Sequence, residues 1–248
     1  MATRTRYLRR PNKSRRKIIL RADSADGGRN MSARKYLEEG LAEMNMSLKE
    51  MCLLVEDMID QAVTSLTEND TALAAGIHER DKRVDEYEME IERMCMRLLL
   101  KEQPVAADFR SVSTTLKVIT DIERIGDQAG DIGELIAANG GAALKADAAR
   151  LKMMGILAKD MVKNSVDSFI FSDERLADET AKKDDRLDEL FVEVKNGLIE
   201  FMKARPENAD DALVLMMIAK YFERIGDHAV NVCEWTKYEE TGEHVKFQ

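Results

Sequence analysis

The chain has little of what β-rich proteins need. Its 248 residues include three Pro and 13 Gly, and only 5% are aromatic. A β-sandwich or barrel would require turn residues at intervals of roughly 8 to 12 positions, with aromatic or β-branched strands between them. This composition therefore excludes an all-β fold, and the shortage of Gly and Pro also excludes collagen-like or low-complexity sequence.

Cysteine and long apolar runs are also scarce. No two of the three cysteines, Cys52, Cys95 and Cys233, form a CxxC motif, and an odd number leaves one thiol unpaired. This pattern favours a reducing compartment over a disulfide framework. The longest unbroken apolar run, 212–219, is far shorter than the about 20 residues of a membrane-spanning helix. The N-terminus also lacks the apolar core of a signal peptide. We therefore expect a cytoplasmic protein that does not cross a membrane.

The residues that are abundant favour helices. Hydrophobic residues make up 44% of the chain and charged residues 34%, and there are 15 Met. Leu, Ala, Met, Glu, Lys and Arg lose little side-chain entropy in a helix. The composition therefore predicts an all-α protein.

The net charge of −9 combines two opposite parts. Residues 1–30 hold ten Lys or Arg and two Asp, a net charge of +8, so the remainder carries −17. The first part is interpreted either as a disordered basic arm that anchors on anionic lipid or nucleic acid, or as an extension before a start at Met31. The acidic remainder does not favour nucleic acid and suits cations or basic partner surfaces.

The chain repeats itself from about residue 41 onward. At an offset of 103, DKRVDE at 81–86 aligns with DDRLDE at 184–189, and matching positions between 51 and 65 align with 154–168. At an offset of 100, ERIGDQAGDIGE at 123–134 aligns with ERIGDHAVNVCE at 223–234. Three segments that match in the same order indicate a tandem duplication.

Each repeat predicts three long helices. Turn-forming sequence separates them at 67–70, 103–108, 139–142, 172–174 and 205–211, with Asp, Asn or Ser as N-caps and Pro where a helix ends. In the third helix, apolar residues alternate at spacings of four and three, which is typical of a bundle seam: Val118, Ile122, Ile125, Ala129, Ile132 and Ile136. We therefore predict an all-α tandem duplication of two antiparallel three-helix bundles with six long helices, at 31–140 and 141–248.

Pairs of acids four residues apart recur in both repeats. Such a spacing puts both carboxylates on one helix face, where they repel each other and suit a hard cation such as iron, manganese, magnesium or calcium. The pairs on the second and third helices are Asp81 with Asp85, Glu123 with Asp127, Asp184 with Asp188, and Glu223 with Asp227. Additional candidate ligands are Asp57, Asp160, Asp131, Glu134 and Glu234.

The same acids have a simpler interpretation. At 100° per residue, Glu123 and Asp127 lie far from the apolar seam of their helix, so they face outward and could form only a solvated acidic face. Arg124 and Arg224 could pair with some of them. Gly126 and Gly226 break a rule of helix composition, because Gly costs about 1 kcal/mol relative to Ala in a helix, and their repetition predicts close approach of another helix or a ligand.

Catalytic templates are missing from the sequence. It contains no HExxH, Walker, GxSxG or GxGxxG motif, and none of its three His lies three residues after a Glu, as di-iron oxidase bundles require. His228 follows Asp227 and could be a ligand, but the first repeat has Gln128 there, so we interpret it as a helix-surface residue. We predict that the protein is not an enzyme.

At DIERIGDQAGDI and YFERIGDHAVNVCEW the sequence resembles the PhoU family of phosphate-transport regulators, whose hallmark is a duplicated E(D)xxxD motif in two three-helix bundles. KEQPVAADFRSV at 101–112 and YEETGE at 238–243 are also similar to that family. The resemblance covers about residues 35–245. The basic arm at residues 1–30 falls outside the family pattern, and Gln61 and Asn164 stand where members often carry Asp.

The resemblance implies a cytoplasmic negative regulator of phosphate uptake and of the phosphate-starvation response. It implies contacts with the ATPase subunit of the phosphate ABC transporter and with a sensor histidine kinase. It also implies a multinuclear iron or other metal cluster (Mn, Zn, Mg or Ca) on the bundle surface, held by Asp81, Asp85, Glu123 and Asp127 and by their counterparts Asp184, Asp188, Glu223 and Asp227.

The predicted function is therefore an adaptor between transporter and sensor kinase. The alternative is a protein that stores metal or processes phosphate with a metal, and a third hypothesis is attachment to anionic membrane through residues 4–21. We expect no specific nucleic-acid partner and at most peripheral membrane contact. We also expect a homodimer, although no pattern in the sequence determines the number of subunits.

Overall fold

A computed structural model describes residues 27–139 and 147–247, with side chains from Arg34 onward. Within these ranges the chain is helical and contains no strand. The basic N-terminal segment predicted for residues 1–30 lies outside the described residues up to position 26, and α1 already begins at Gly27. The helices are α1 Gly27–Glu68, α2 Thr71–Lys101, α3 Ala107–Asn139, α4 Ala148–Phe171, α5 Glu174–Ala181, α6 Asp184–Ala204 and α7 Ala209–Thr241.

The helices form the two bundles that the duplication predicts, and the all-α fold is confirmed. In the first bundle α1 and α2 run antiparallel, since the Cys95 and Met44 sulfur atoms meet at 3.5 Å and the Tyr87 hydroxyl lies 3.3 Å from Glu50. Then α3 returns antiparallel to α2. The second bundle repeats this order with α4, the pair α5 and α6, and α7.

The two bundles share one core. Buried Met, Leu, Ile and Val side chains from α1, α3, α4 and α7 belong to a single apolar cluster. Between α1 and α4, Lys49 donates to Asp167 (2.8 Å) and Lys159 donates to Asp60 (2.7 Å), so these helices are antiparallel. At Gly155 the absence of a Cβ atom makes room for the Val63 side chain, which packs directly on the α4 backbone.

Helix ends follow the sequence signals. Asp70 caps α2 by accepting hydrogen bonds from the amides of Ala72 and Leu73, and Asp173 caps α5 in the same way through Leu176. The fifth long helix of the prediction is divided, because α5 ends at Ala181 and α6 begins at Asp184. Its counterpart α2 is continuous. No helix among the described residues combines the length and the apolarity of a membrane span.

Candidate functional site

The predicted acids of the first bundle line the groove where α2 packs on α3. Asp81 and Asp85 come from α2, and Glu123 and Asp127 come from α3. We call these four residues the first acidic cluster. Their carboxylates interact strongly enough to affect one another's ionisation, since Asp127 and Asp85 both raise the pKa of Asp81.

A second acidic cluster repeats the arrangement between α6 and α7. It consists of Asp184 and Asp188 on α6 and Glu223 and Asp227 on α7. The structure thus brings the eight predicted ligands together as two sets of four, one in each bundle. Glu123 and Glu223 lie at the flank of each seam, with only 17% and 14% of their side chains exposed. The outer acids Asp85, Asp188 and Asp227 are exposed.

The glycines of the two ERIGD motifs leave room for an aspartate side chain from the neighbouring helix. A Cβ atom on Gly126 would lie 3.2 Å from Asp81 Oδ1, and a Cβ atom on Gly226 would lie 3.1 Å from Asp184 Oδ1. Val84 and Leu187 press on the same glycines from α2 and α6. The predicted close approach at these positions is therefore made by a neighbouring helix that brings a carboxylate with it.

Both of these aspartate oxygens lack a partner. Asp81 Oδ1 and Asp184 Oδ1 are buried, and no described residue makes a hydrogen bond or an ion pair with either atom. Glu123 Oε2 and Glu223 Oε2 are also buried without a hydrogen bond, although Arg124 and Lys220 lie beside them. A buried carboxylate oxygen without a partner is costly, so Asp81 and Asp184 favour a proton or a cation, whereas Glu123 and Glu223 already have a cation beside them.

Burial and mutual repulsion change the ionisation of the clusters. Desolvation, with the charge of neighbouring acids, raises the pKa of Asp81 to about 6 and the pKa values of Glu123 and Asp184 to about 7. Desolvation also raises the pKa values of Asp188 and Asp227. At neutral pH each cluster therefore holds carboxyl groups that ionise reluctantly unless a positive charge arrives.

Donor chemistry fits a hard cation, but the side chains do not form a finished coordination sphere. Oxygen donors from Asp and Glu are the ligands that iron(III), Mn²⁺, Mg²⁺ and Ca²⁺ accept. Across residues 27–139 and 147–247, no three His, Cys, Asp or Glu side chains converge tightly enough to hold one ion. Metal binding would thus require the carboxylates of a cluster to turn toward one another.

The additional candidate ligands have other partners. Asp57 pairs with Arg80 and accepts from Gln61 (2.9 Å), and Asp160 pairs with Lys183, so the same acid–cation contact recurs in both bundles. Two more acids contact other groups, since Glu134 lies 3.3 Å from His78 and Glu234 accepts from the Phe247 amide. Asp131 is half-buried and contacts Tyr221.

His228 is not the helix-surface residue that the sequence favoured. It lies half-buried between the bundles, with its Nδ1 2.9 Å from Asp121 on α3. Asn231 and Trp235 donate to the same carboxylate at 3.0 and 3.1 Å. Sequence analysis missed Asp121, because its partners lie more than 100 residues away along the chain.

Comparison with known proteins identifies the fold's relatives. The family model described as "PhoU domain" matches residues 48–136 and 151–236, once in each bundle. The chain belongs to the PhoU family. The two matches to the PhoU domain contain both acidic clusters, so the duplicated ERIGD motifs lie inside the family's own sequence pattern.

Relatives in the PhoU family match this chain over nearly the whole of their own length. A "phosphate-specific transport system accessory protein PhoU homolog" from Clostridium acetobutylicum is 34% identical over 213 residues, which cover 86% of this chain and 97% of that protein. The homolog of the same name from Aquifex aeolicus is 35% identical over 214 residues, covering 84% and 94%.

Solved PhoU structures have the same fold. The crystal structure of PhoU from Pseudomonas aeruginosa superposes with a TM-score of 0.79 at 28% identity, covering 83% of this chain and 99% of that one. The phosphate transport system regulatory protein PhoU from Streptococcus pneumoniae also gives 0.79, at 26% identity, with 85% and 100% covered.

Proposed function

We propose that the protein is a non-enzymatic accessory regulator of phosphate transport. It restrains phosphate uptake and the phosphate-starvation response as an adaptor between the ATPase subunit of a phosphate ABC transporter and a sensor histidine kinase. The observation that carries this proposal is the match of both repeats to the PhoU family, together with the accessory-protein name of the relatives. We place this activity in the cytoplasm and assign it to a homodimer.

The acidic clusters give the adaptor a means of recognition. Outside residues 1–30 the chain carries a net charge of −17, and four exposed or half-exposed acids sit at the rims of the two clusters: Asp85, Asp127, Asp188 and Asp227. Such a field steers a basic partner surface toward the protein and weakens as salt increases.

A complementation experiment tests this role. In a bacterial strain that lacks its own PhoU protein, expression of the chain should lower phosphate uptake and a phosphate-starvation reporter at high phosphate. A variant in which the rim acids are neutralised, Asp85→Asn/Asp127→Asn/Asp188→Asn/Asp227→Asn, should lose most of this repression.

A matched variant tests whether repression depends on the position of the neutralised acids or only on the net charge of the chain. Four exposed acids away from the clusters can be neutralised with the same change of net charge, as Glu43→Gln/Glu68→Gln/Glu207→Gln/Asp210→Asn. We expect this control to repress normally. If the wild-type chain leaves uptake and reporter unchanged, the regulatory role is wrong, and if both variants fail equally, the clusters are not the recognition site.

We further propose that the two clusters bind multivalent cations, with iron first and Mn, Zn, Mg or Ca as alternatives. The buried oxygens of Asp81 and Asp184 support this proposal, because neither has a partner among the described residues and a cation would satisfy both. The remaining donors of each cluster would complete the ligand set. A bound cation would supply the positive charge that lets these acids ionise at neutral pH.

Metal content gives the direct test. Tag-free wild-type protein should carry several metal ions by plasma mass spectrometry, and Glu123→Ala/Asp127→Ala/Glu223→Ala/Asp227→Ala should lose them while staying helical by circular dichroism. Metal-free protein after incubation with each ion would contradict metal binding. A metal-storage function, the alternative, instead requires many ions per chain and their release on a physiological timescale.

A further inference from the structure

The first bundle ends in a surface of exposed apolar and cationic side chains. Met96 and Leu100 point to solvent from the last turns of α2, with 49% and 77% of each residue exposed. Val105 and Phe109 continue the surface through the loop and into α3, with 74% and 50% exposed. We call these four residues, with Arg93, Arg97 and Lys101, the α2–α3 end surface.

The cations of this surface form no ion pair with an acid among the described residues. Acids do lie nearby, since Glu39, Glu43 and Glu102 line a groove with Arg97 and Lys101, and Glu92 lines a groove with Arg93. Arg93, Arg97 and Lys101 are exposed and follow one another at intervals of four, so they share a helix face with Met96 and Leu100. No residue in the part of the chain that the structure describes makes an ion pair or a side-chain hydrogen bond with them. Elsewhere on the same helix, Arg83 pairs with Glu86.

The second bundle lacks the surface. At the offset of 103, the positions of the three cations are occupied by Asn196, Glu200 and Ala204. Lys203 takes the place of Leu100. The two repeats share the fold, so the fold itself does not require the apolar and cationic residues of the first repeat. Ile199 keeps an exposed apolar residue at the position of Met96, but neither the three cations nor Leu100, Val105 and Phe109 have such a counterpart in the second bundle, which indicates a separate role.

The basic segment of the chain leads into the bundle at the same end. Because α1 runs antiparallel to α2, its fourth turn lies beside the end of α2, where a Cβ atom on Gly40 would lie 2.5 Å from Leu98. Arg34 donates to Asp108 at the start of α3 (2.8 Å). The nine Lys and Arg of residues 1–21 therefore precede the helix whose residues 34–40 lie at the same end of the bundle as the α2–α3 end surface.

We propose that the α2–α3 end surface docks the protein on membranes that contain anionic phospholipid. Its cations attract the negative headgroups, and the projecting Met96, Leu100, Val105 and Phe109 side chains enter the interface between headgroups and acyl chains. An anionic membrane repels the rest of the molecule, with its large excess of acids, so this end approaches first and sets the orientation. A basic protein partner would instead be drawn to the acidic clusters.

Vesicle co-sedimentation of the full-length chain tests the proposal. The wild-type protein should bind vesicles of phosphatidylcholine with phosphatidylglycerol and stay in solution with phosphatidylcholine alone. Arg93→Gln/Arg97→Gln/Lys101→Gln should weaken binding about a hundredfold, since each cation near an anionic surface contributes about fivefold. Lys152→Gln/Lys163→Gln/Lys182→Gln removes the same charge from other exposed positions and should bind like the wild type.

A second pair of variants tests whether apolar side chains of this surface insert into the membrane. Met96→Gln/Leu100→Gln should weaken binding and reduce its resistance to salt, whereas Val192→Gln/Ile199→Gln, on the corresponding helix of the second bundle, should not. Three results would overturn the proposal. They are no binding of wild-type protein, equal binding of the end-surface and control variants, and loss of binding only when Arg9, Arg10, Arg15 and Arg16 become Gln. The last would assign lipid binding to the basic segment alone.

Discussion

At the scale of single residues, the two aspartates that face glycine are the most unusual groups in the protein. Asp81 and Asp184 each place one buried oxygen against the backbone of the neighbouring helix, where no described residue donates to it. A folded protein tolerates such a group when it is protonated or when an ion neutralises it. These residues therefore contribute to a site at the expense of stability.

The raised pKa values predict that the metal-free protein is more stable at acidic pH than at neutral pH. With pKa values of about 7 in the folded chain, Glu123 and Asp184 retain protons that the unfolded chain has already released above about pH 4. The folded state then binds more protons than the unfolded state, so stability falls as pH rises from about 4 to 7.

Removing the two charges should flatten this profile. We expect Glu123→Gln/Asp184→Asn to stabilise metal-free protein at pH 8 by about 1 kcal/mol, or 2–4 °C in Tm, with the gain shrinking to nothing as the pH falls toward about 4. Thermal unfolding by circular dichroism in chelator measures both. Glu68→Gln/Asp210→Asn is the control, and the explanation is wrong if the control and the cluster variant respond alike at pH 8.

At the scale of elements, small residues set how closely α2 packs on α3. A Cβ atom on Gly133 would lie 2.8 Å from the Ala74 carbonyl oxygen, a backbone atom that cannot move aside alone. Cys233 holds the corresponding position on α7, where its thiol packs against Ala177, the counterpart of Ala74. This larger side chain coincides with the division of the helix into α5 and α6.

Two glycine substitutions separate packing from helix propensity. Gly133→Ala should destabilise the protein by about 1–3 kcal/mol, because α2 must shift away from α3. Gly76→Ala is the matched change in α2, where nothing lies within 4 Å of the new methyl group, and it should stabilise by about 0.5–1 kcal/mol. Urea unfolding of both variants compares them, and equal effects would show that the contact at Gly133 is not tight.

The sequence predicted the helices and their ends well, because the two repeats confirm each other and the caps are local. Asp70 and Asp173 act as N-caps as expected. It did not predict the break before Asp184, since DKRVDE and DDRLDE have nearly the same pattern, one in a continuous helix and one after a break. From the angular position of each acid around its helix we expected it to face solvent. The neighbouring helix instead packs beside these acids, so they line a groove.

Contacts between the repeats were beyond what the sequence could predict. Gln128 and His228 occupy equivalent positions, yet only His228 reaches an acid across the interface. Such a contact depends on how two helices cross, and no periodicity within one helix contains that information.

At the scale of the whole molecule, Asp121 joins the bundles through three donors of α7. Asp121→Ala should leave His228, Asn231 and Trp235 without an acceptor and cost about 2–3 kcal/mol. Because one apolar core spans both repeats, we expect the loss as a lower midpoint of a single calorimetric transition, without a second transition.

Another aspartate between the bundles provides the control. Asp60 meets Lys159 at the surface, with 55% of its side chain exposed, and Asp60→Ala should cost no more than about 1 kcal/mol. If the two variants lose the same stability, the network does not hold the bundles together. If Asp121→Ala instead unfolds in two transitions, the shared core alone does not couple the two repeats.

The divided helix has a consequence for how the molecule fluctuates. α5 is eight residues long and is held by the small buried side chains of Ala177, Thr180 and Ala181, whereas α2 is continuous for 31 residues. A short segment with little buried area can open without disturbing the rest of the fold. We therefore expect amide protons of α5 to exchange with solvent through local opening, faster than those of the corresponding part of α2. The segment next to the second acidic cluster would then open more easily than its counterpart in the first bundle.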